Sequence, residues 1–240
     1  MHARADSGAE GSRALKIATW NVNSVRARLP RVLAWLEEQQ PDLLGMQEIK
    51  ARDEDFPVDA FREIGYHVAS FGQPTLHGVA LAGRVEIGGV ERGLIDDAPD
   101  AERRLIGGRV AGIRIITVYV PNGTEVGSER FAYKLAWLRR LRAHLEARCN
   151  PHEPILVCGD FNVAPEERDV HDPDAWRGQI LFHPDEHKAL QDLMSWGLVD
   201  AFRRFTPEGG HYTWWDYRAG AFHRGWGLRI DLMLMTEPLV

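Results

Sequence analysis

The sequence predicts a single α/β domain in which helices cover β-sheets, and three observations lead to that fold class. Segments with strand-like alternation and segments with helical spacing are interleaved along the 240 residues, around a central stretch that is almost all strand. Neither a short-period repeat nor a long Pro/Gly/Ser linker divides the chain. Polar residues also gather where predicted strands end, which is where open α/β sheets place ligands.

The first half of the chain opens with a segment that we do not expect to fold. Residues 1–14 are polar, small and aperiodic and lack the apolar core of a signal peptide, so we predict a disordered extension followed by one domain over residues 15–240. Leu29, Leu33 and Leu36 have the spacing of a helix that ends before Pro41. The other elements predicted here are strands at 15–22, 43–49, 66–71 and 78–82, a helical segment at 59–64, and a β-type pattern over 105–120.

The second half is predicted to contain the longest helix and the most informative strand. Phe131, Leu135, Leu138 and Leu145 lie at helical spacing, which predicts a helix over residues 128–148. The remaining predicted elements are a buried strand beginning at residue 155, a polar loop at 163–174, a helix near 185–196, and closing strands at 211–217 and 228–236.

Composition limits the class of protein without deciding its ligand. The hydrophobic content of 44% and the charged content of 27% are typical of a soluble globular protein. A net charge of −6 does not indicate a nucleic-acid binder, yet an enzyme that meets DNA through one basic face and metal ions can be acidic overall. Two cysteines predict no disulfide framework and suit the cytoplasm, and no apolar run is long enough to cross a membrane.

One short apolar run ends in two side chains that suit phosphoester chemistry. The strand formed by residues 155–158 is followed by Gly159, Asp160, Phe161 and Asn162. Alternation along an extended chain would point Asp160 and Asn162 to the same side. A carboxylate can bind a metal ion or move a proton, and a carboxamide can donate hydrogen bonds to an oxyanion. The pair is therefore suited to attack on a phosphodiester.

Four other predicted strands also end in polar residues that core packing does not require. A single acid at a strand end is more often solvated or caps a helix, so each one alone is weak evidence. Together they are stronger evidence, because converging acids need a cation or shared protons to coexist. The five strand ends are Trp20-Asn21-Val22-Asn23, Gln47-Glu48, Tyr119-Val120-Pro121-Asn122-Gly123, Gly159-Asp160-Phe161-Asn162 and Arg229-Ile230-Asp231.

These strand ends and their flanking residues give the chain its resemblance to a known family. From Lys16 to about Thr236 it resembles the exonuclease III and apurinic/apyrimidinic endonuclease branch of the endonuclease/exonuclease/phosphatase superfamily. The resemblance implies that family's α+β fold, a two-layered β-sandwich flanked by helices in a four-layer α/β/β/α arrangement. The matching segments are TWNVNSVRAR at residues 19–28, QEIK at 47–50, GDFN at 159–162, TWWDYR at 213–218 and GLRID at 227–231.

The resemblance also implies roles for individual residues. Glu48 would be the principal metal ligand, and Mg²⁺, with Mn²⁺ as an alternative, would suit the all-oxygen donor set. Asp160 would transfer protons, Asn162 would hydrogen-bond the phosphate as charge builds, and Tyr119 would contact the same phosphate. The metal-site residues implied in this way are Asn21, Glu48, Asp160 and Asn162.

Three further positions match the residues that line a pocket for a base-less sugar in the family. They are Trp214, Leu228 and Ile230. For Leu228 and Ile230, core packing explains an apolar strand residue equally well. Because Trp215 follows Trp214 directly, alternation would place one indole in the core and leave the other available.

Basic residues just beyond the strand ends are candidates for contacts to flanking phosphates. They are Arg26, Arg28 and Lys50, and solvated surface charge is an equally good explanation for each. The substrate that the resemblance implies is double-stranded DNA with abasic sites or 3′ ends. No membrane association is expected, and the intact protein is expected to be a monomer.

The chain departs from the family's pattern at its C-terminal end. The family continues to a Ser-Asp-His motif that supplies the catalytic histidine, a metal-site aspartate and the last strand, whereas this sequence stops at Val240. We therefore predict a truncated domain in which Asp231 lacks the histidine it would orient, and in which one sheet edge and some apolar surface are exposed. Neither His211 nor His223 lies in a matching context. Activity should then be impaired, since an acid–base group is worth on the order of 10²–10⁴ in rate.

Three functions remain open from the sequence. The leading one is a Mg-dependent DNA-repair nuclease, an exodeoxyribonuclease III-type hydrolase with 3′-to-5′ exonuclease and abasic-site endonuclease activity. The second is a phosphatase or phosphodiesterase of the same superfamily that acts on lipids, inositol phosphates or RNA, against which the Arg26/Arg28 segment and the Trp214 strand argue. The third is a non-catalytic DNA-binding remnant, suggested by the missing Ser-Asp-His segment.

Overall fold

The computed structural model describes residues 14–240, so nearly all of the predicted N-terminal extension lies outside the described residues. The described strands are β1 Ile17–Asn21, β2 Leu43–Gln47, β3 His67–Phe71, β4 Val79–Gly83, β5 Gly88–Arg92, β6 Leu105–Val110, β7 Ile113–Tyr119, β8 Ile155–Asp160, β9 Leu198–Asp200, β10 Trp214–Trp215, β11 Gly227–Leu228 and β12 Asp231–Thr236. The described α-helices are α1 Val25–Gln39, α2 Val58–Glu63, α3 Glu129–Arg148, α4 Pro173–Trp176, α5 Pro184–Met194, α6 Ala201–Phe205 and α7 Ala221–Arg224. Short 3₁₀ turns cover Asp53–Asp55, Glu167–Asp169 and Glu237–Leu239.

Two sheets dominate the architecture. Among the described strands, the first sheet has the order β1-β2-β4-β3 and the second β5-β6-β7-β8-β12-β9, while β10 and β11 form a separate ribbon. The pairs β1–β2 and β7–β8 are parallel, so the carboxyl ends within each pair lie at the same edge of their sheet. These are the strand ends on which the sequence places its polar residues.

Three apolar clusters hold the layers together. Leu81 and Ile115 belong to the cluster between the two sheets. Leu36 of α1 packs in the cluster on the outer face of the first sheet, and Leu141 of α3 packs in the cluster on the outer face of the second. All four side chains are fully buried, and truncating such a leucine to alanine typically costs about 2–5 kcal/mol. The α/β/β/α layering confirms the predicted fold class.

Local sequence explains where the two long helices begin. Ser24 Oγ accepts a hydrogen bond from Ala27 N at the start of α1, and Ser128 Oγ accepts one from Phe131 N at the start of α3. At the other end of α1, Gln40 adopts a left-handed conformation with φ 46° directly before Pro41. The predicted bounds of α3 are therefore close to the observed ones, whereas α1 begins earlier than its leucines indicate.

The structure divides two of the predicted strands into shorter ones. The β-type pattern over residues 105–120 is a hairpin, because Ala111 and Gly112 form a turn with φ 47° and 82°. The strand predicted over 228–236 is interrupted between β11 and β12. There, Arg229 N donates to Asp169 O at 2.9 Å instead of joining a sheet ladder.

Three short strands differ from the sequence prediction for other reasons. Of the strand predicted over residues 211–217, only Trp214–Trp215 pairs, because its partner β11 is equally short. The strands β5 and β9 were not predicted at all. The first begins with two glycines, which have low strand propensity, and the second has three residues and offers almost no alternation to detect.

Two further features bear on the predictions about edges and membranes. Strand β1 lies at an edge of the first sheet, because among the described strands it pairs only with β2, and all five of its residues are half-buried. The truncation inferred from sequence stays a prediction. No helix of residues 14–240 is long and apolar enough to span a membrane.

Candidate active site

Strand ends from both sheets meet at one edge of the sandwich and bring three predicted residues into contact. Asn21 ends β1, Asp160 ends β8, and Glu48 directly follows β2. Asn21 Nδ2 donates to Glu48 Oε1 at 2.8 Å and to Asp160 Oδ2 at 2.9 Å. Because Asn21 and Asp160 belong to different sheets, this amide links the two layers at the site.

The segment after β2 turns back so that Glu48 faces this amide. Glu48 and Lys50 both have φ 50°, a conformation that non-glycine residues adopt rarely and that often marks functional sites. Ser24 N donates to Glu48 O at 2.7 Å, which fixes the bend. Lys50 Nζ lies 2.8 Å from Glu48 Oε2 and 2.6 Å from Asn23 Oδ1. Lys50 is thus bound to the carboxylate that the sequence singled out.

Tyr119, at the end of β7, lies beside the same carboxylate. Burial together with the charges of Glu48 and Asp160 raises the pKa of Tyr119, so its hydroxyl keeps its proton and can act as a donor. Burial alone would raise the pKa of Glu48. Hydrogen bonds from Asn21 and Lys50, the Lys50 charge and the Tyr119 hydroxyl outweigh burial and lower that pKa below its ordinary value. Glu48 is therefore an ionised carboxylate near neutral pH.

Asp160 is the most deeply buried acid of the predicted set, with 5% of its surface exposed. Burial, reinforced by the Glu48 charge, raises the pKa of Asp160 to about 6, against hydrogen bonds from Asn21 and from the Asn162 N–H and against the charge of Lys134. A carboxyl group with this pKa can take up and release a proton near neutral pH.

The backbone after Asp160 does not stay extended, so the predicted alternation is wrong there. Asn162 has φ 51°, and its N–H donates to Asp160 Oδ1 at 2.9 Å. Gly159 makes the strand end compact, because a Cβ at that position would lie 2.0 Å from Val118 O. Asp160 and Asn162 are still brought together, but by a tight turn.

The side chain of Asn162 is oriented by the residues that follow β7. Asn162 Nδ2 donates to Val120 O at 2.9 Å, and Asn122 Nδ2 donates to Asn162 Oδ1 at 3.1 Å. Asn122 lies in one of the five strand-end segments but received no role from the sequence. Its contact with Asn162 makes it part of the site.

Asp231 begins β12 and lies opposite Asp160 in the β8–β12 register. Burial and the Asp160 charge raise the pKa of Asp231 well above its ordinary value, against a hydrogen bond with Thr213. Within the described residues, Asp231 Oδ1 is buried and has no hydrogen-bond partner. The histidine that the resemblance implies for Asp231 stays a prediction.

The acids line a cavity of about 1460 Å³ whose walls include eight phenylalanine, tyrosine and tryptophan residues. Of the three predicted pocket residues in the described chain, Trp214 alone lines this cavity. Leu228 and Ile230 are fully buried in the apolar cluster against which Trp214 packs. Trp215 is half-buried like Trp214 and also lines the cavity, so the predicted division into one core indole and one available indole is wrong.

The two predicted DNA-contacting arginines lie at the start of α1, one turn from the site. Arg26 is exposed and Arg28 is half-buried. Neither forms an ion pair with another residue of the described chain. Their guanidinium groups are therefore available to an external anion, whereas Lys50 is already paired with Glu48.

Charged groups that the sequence did not single out surround Tyr119. Arg104 is 2% exposed, its guanidinium lies 4.6 Å from the Tyr119 ring centroid, and Arg104 Nη1 donates to Tyr119 O at 3.0 Å. Glu102 Oε2 accepts from Arg104 Nε at 2.7 Å, and His77 Nε2 lies 3.4 Å from Glu102 Oε1. For Arg104, the only signal in the sequence was an Arg-Arg pair before a β-type pattern, and surface charge explains such a pair equally well.

The donor atoms at the strand ends fit a hard divalent cation. Among residues 14–240 no group of three or more histidine, cysteine, aspartate or glutamate side chains is arranged to hold a metal ion. The carboxylates of Glu48 and Asp160 form a smaller set of oxygen donors on either side of Asn21 Nδ2, while Asn21 Oδ1 accepts from Asn23 N at 3.1 Å. Mg²⁺ is commonly held by one or two carboxylates together with substrate phosphates and waters, so this set suits that ion.

Sequence comparison relates the chain to one family. The family model described as the endonuclease/exonuclease/phosphatase family matches residues 18–240. Exodeoxyribonuclease III of Haemophilus influenzae is 35% identical over 237 residues, which cover 94% of this chain and 89% of that protein.

Solved structures show the same fold at higher identity. An AP endonuclease from Archaeoglobus fulgidus has a TM-score of 0.90 and 45% identity, covering 94% of this chain and 88% of that chain. A 3′-5′ exonuclease from Neisseria meningitidis has a TM-score of 0.91 and 39% identity, covering 93% of this chain and 88% of that chain.

Proposed function

Because the chain belongs to the endonuclease/exonuclease/phosphatase family, we propose that it is a metal-dependent nuclease that hydrolyses phosphodiester bonds in DNA. Its substrates would be duplexes with abasic sites or 3′ ends. The observation that carries this proposal is the contact of Asn21 with both Glu48 and Asp160, with Tyr119 adjacent. It supports a site for phosphoester hydrolysis because acid, donor and cation-binding groups converge there.

In this mechanism the side chains divide the work by their protonation states. Asp160, with a pKa raised to about 6, would exchange a proton with the attacking water or the leaving oxygen. The Tyr119 hydroxyl and the second hydrogen of Asn162 Nδ2 would donate to the phosphate as negative charge develops. Mg²⁺, with Mn²⁺ as an alternative, would be held by Glu48 and Asp160 with Asn21 and would offset the charge of the phosphate.

Substrate selection would depend on the aromatic cavity and the nearby basic groups. Trp214 on the cavity wall would contact a sugar without a base, with Leu228 and Ile230 supporting it from the core. Arg26 and Arg28 would contact phosphates that flank the cleaved bond. An intact duplex has its bases stacked, so a base-less sugar would enter the cavity at lower cost.

The test is a cleavage assay with a panel of substrates. The protein is incubated with Mg²⁺ or with EDTA on a duplex carrying one abasic site, on a duplex with a recessed 3′ end, and on a phosphoinositide headgroup. We expect Mg²⁺-dependent cleavage of both duplexes, its loss in Asp160→Asn, and its retention in the surface control Asp192→Asn. Absence of DNA cleavage, cleavage unaffected by Asp160→Asn, or faster turnover of the headgroup would refute the proposal.

One observation favours a second candidate function, DNA binding without cleavage. Asp231 Oδ1 is buried without a hydrogen-bond partner in the described residues, as it would be in a site whose acid–base machinery is incomplete. In that case, an excess of protein would shift an abasic duplex in a binding assay without incising it, and added salt would weaken binding through counterion release. Turnover of the duplex would exclude this function.

A further inference from the structure

We propose that Lys134 is a positioning residue whose buried ammonium group holds the two asparagines of the site in register. Lys134 lies in the second turn of α3, on the face that packs against the second sheet, and it is fully buried. The inference rests on the proposed role of Asn162 in phosphate binding. It adds to that function a residue that neither lines the cavity nor touches the substrate.

The ammonium group of Lys134 has three hydrogens and three acceptors. Lys134 Nζ lies 3.1 Å from Asn122 O and 2.6 Å from Asn162 O, and it also forms an ion pair with Glu186. A lysine has three donors and no acceptor, so none of its hydrogens is left free to rotate toward another partner. The two carbonyl groups are therefore fixed to one point.

Glu186 fixes the position of the Lys134 ammonium group relative to the fold. It is fully buried at the N-terminal end of α5, where its Oε2 accepts from His183 N at 2.9 Å and its Oε1 accepts from Leu181 N at 3.3 Å. A carboxylate is favourable at a helix N-terminus. The ion pair thus joins α3, α5 and the two loops of the site, and neither partner can move independently.

The two carbonyl groups belong to the asparagines whose side chains bond each other. Asn122 Nδ2 donates to Asn162 Oδ1 at 3.1 Å, so backbone and side chain of both residues form one closed set of contacts with Lys134. The loop also packs directly on the lysine stem, because a Cβ at Gly123 would lie 3.1 Å from Lys134 Cδ. A shift of Lys134 would displace both asparagines together.

Stability alone does not require a charge at this place. Well-packed apolar residues of similar volume often serve a core as well as a buried ion pair does, or better. An apolar pair would fill the space between α3 and α5 but would leave the carbonyl groups of Asn122 and Asn162 without a common donor. The charged pair therefore serves the geometry of the site.

The test separates geometry from stability with a double variant. Lys134→Met/Glu186→Gln removes both charges, and the glutamine retains an oxygen for His183 N. We expect a folded protein whose kcat for DNA cleavage falls on the order of 10²-fold, as for small misplacements of catalytic groups, with KM within twofold of wild type. The matched control Leu141→Ala, on the same helix and equally buried, should lower the melting temperature but leave kcat of the folded protein within twofold.

A folded double variant with kcat within twofold of wild type would overturn the proposal, as would an equal loss of kcat in Leu141→Ala. Crystals of the double variant provide a readout that does not depend on cleavage. Asn162 should be displaced or occupy a second conformer, and unchanged positions of Asn122 and Asn162 would refute the positioning role. If wild type cleaves no DNA, the proposed function fails while the crystallographic comparison still decides this inference.

Discussion

Two clusters of buried charge flank Arg229–Asp231, and they are built in opposite ways. The ion-pair cluster balances two arginines against two aspartates. Arg229 Nε lies 2.6 Å from Asp169 Oδ1, Arg229 Nη2 lies 2.7 Å from Asp200 Oδ2, and Arg203 also pairs with Asp169. The acid cluster has three carboxylates, and within residues 14–240 its one ion-pair contact is Lys50 with Glu48. The members of the acid cluster are Glu48, Asp160 and Asp231; those of the ion-pair cluster are Asp169, Asp200, Arg203 and Arg229.

The difference shows how charge balance separates structure from function. In the ion-pair cluster only Arg229 Nη1, among its atoms in the described chain, is buried without a partner. In the acid cluster the pKa values of Asp160 and Asp231 are raised, because burial and mutual repulsion oppose ionisation there. In a balanced cluster each charge offsets the cost of burying its partner, whereas a surplus of negative charge favours a cation and a phosphate. The acid cluster is therefore the one that we expect to carry chemistry.

The largest expected effect is loss of catalysis in the acid cluster. Asp160→Asn should lower the single-turnover cleavage rate by about 10²–10⁴-fold, because it removes a group that exchanges protons near neutral pH. The matched variant in the ion-pair cluster is Asp169→Asn. It should reduce the folded fraction but leave the rate per folded molecule within a few fold. Equal losses of rate per folded molecule would mean that the two clusters do not differ in function.

The next largest effect is on stability, and here the ion-pair cluster should be more sensitive to substitution than the acid cluster. Arg229→Met leaves Asp169 and Asp200 without their shared cation, so the free energy of unfolding should fall by about 3–5 kcal/mol in urea denaturation. Lys50→Met removes a cation from a partly exposed pair and should cost about 0–1 kcal/mol. Comparable costs would contradict the structural role assigned to the ion-pair cluster.

A smaller effect is the dependence of stability on pH in metal-free protein. The pKa of Asp160 is raised from 3.8 to about 6 in the folded state, so between these values the folded protein holds more protons than the unfolded chain. Its contribution to stability therefore falls as pH rises from about 4 to about 6. Asp160→Asn should remove this fall and be more stable than wild type above pH 6, by roughly 1–3 kcal/mol. Urea unfolding in EDTA across this pH range measures the free energy of unfolding of both proteins. Identical pH profiles for wild type and Asp160→Asn would contradict the repulsion inferred at the site.

The strand ends of the site could be predicted from sequence for a simple reason. Asn21, Glu48 and Asp160 each lie at the end of a mostly apolar strand or directly after it, and because β1 and β2 are parallel, Asn21 and Glu48 share an edge. The sequence thus identified the residue types and their places at strand ends, whereas Asp160 reaches this edge from the second sheet through tertiary packing. The fold class followed in the same way from interleaved strand and helix patterns.

The supporting contacts could not be predicted because they join residues that are distant along the chain. Lys134 and Glu186 are 52 positions apart, and Lys134 occupies a helix face where the pattern predicts an apolar residue. The contact of Asn122 with Asn162 depends on a turn with φ 51°, a conformation that local sequence does not specify for asparagine. Tertiary approach, rather than any local signal, creates both.

Calorimetric titration with Mg²⁺ or Mn²⁺ tests most directly whether the surplus of negative charge in the acid cluster favours a cation. Wild type and the ion-pair variant Arg203→Met should bind the cation with similar heats, because the acid cluster is intact in both. Glu48→Gln should lose most of that heat, since it removes the ionised carboxylate on which the site depends. Equal binding by wild type and Glu48→Gln would contradict the account, as would loss of binding in Arg203→Met alone.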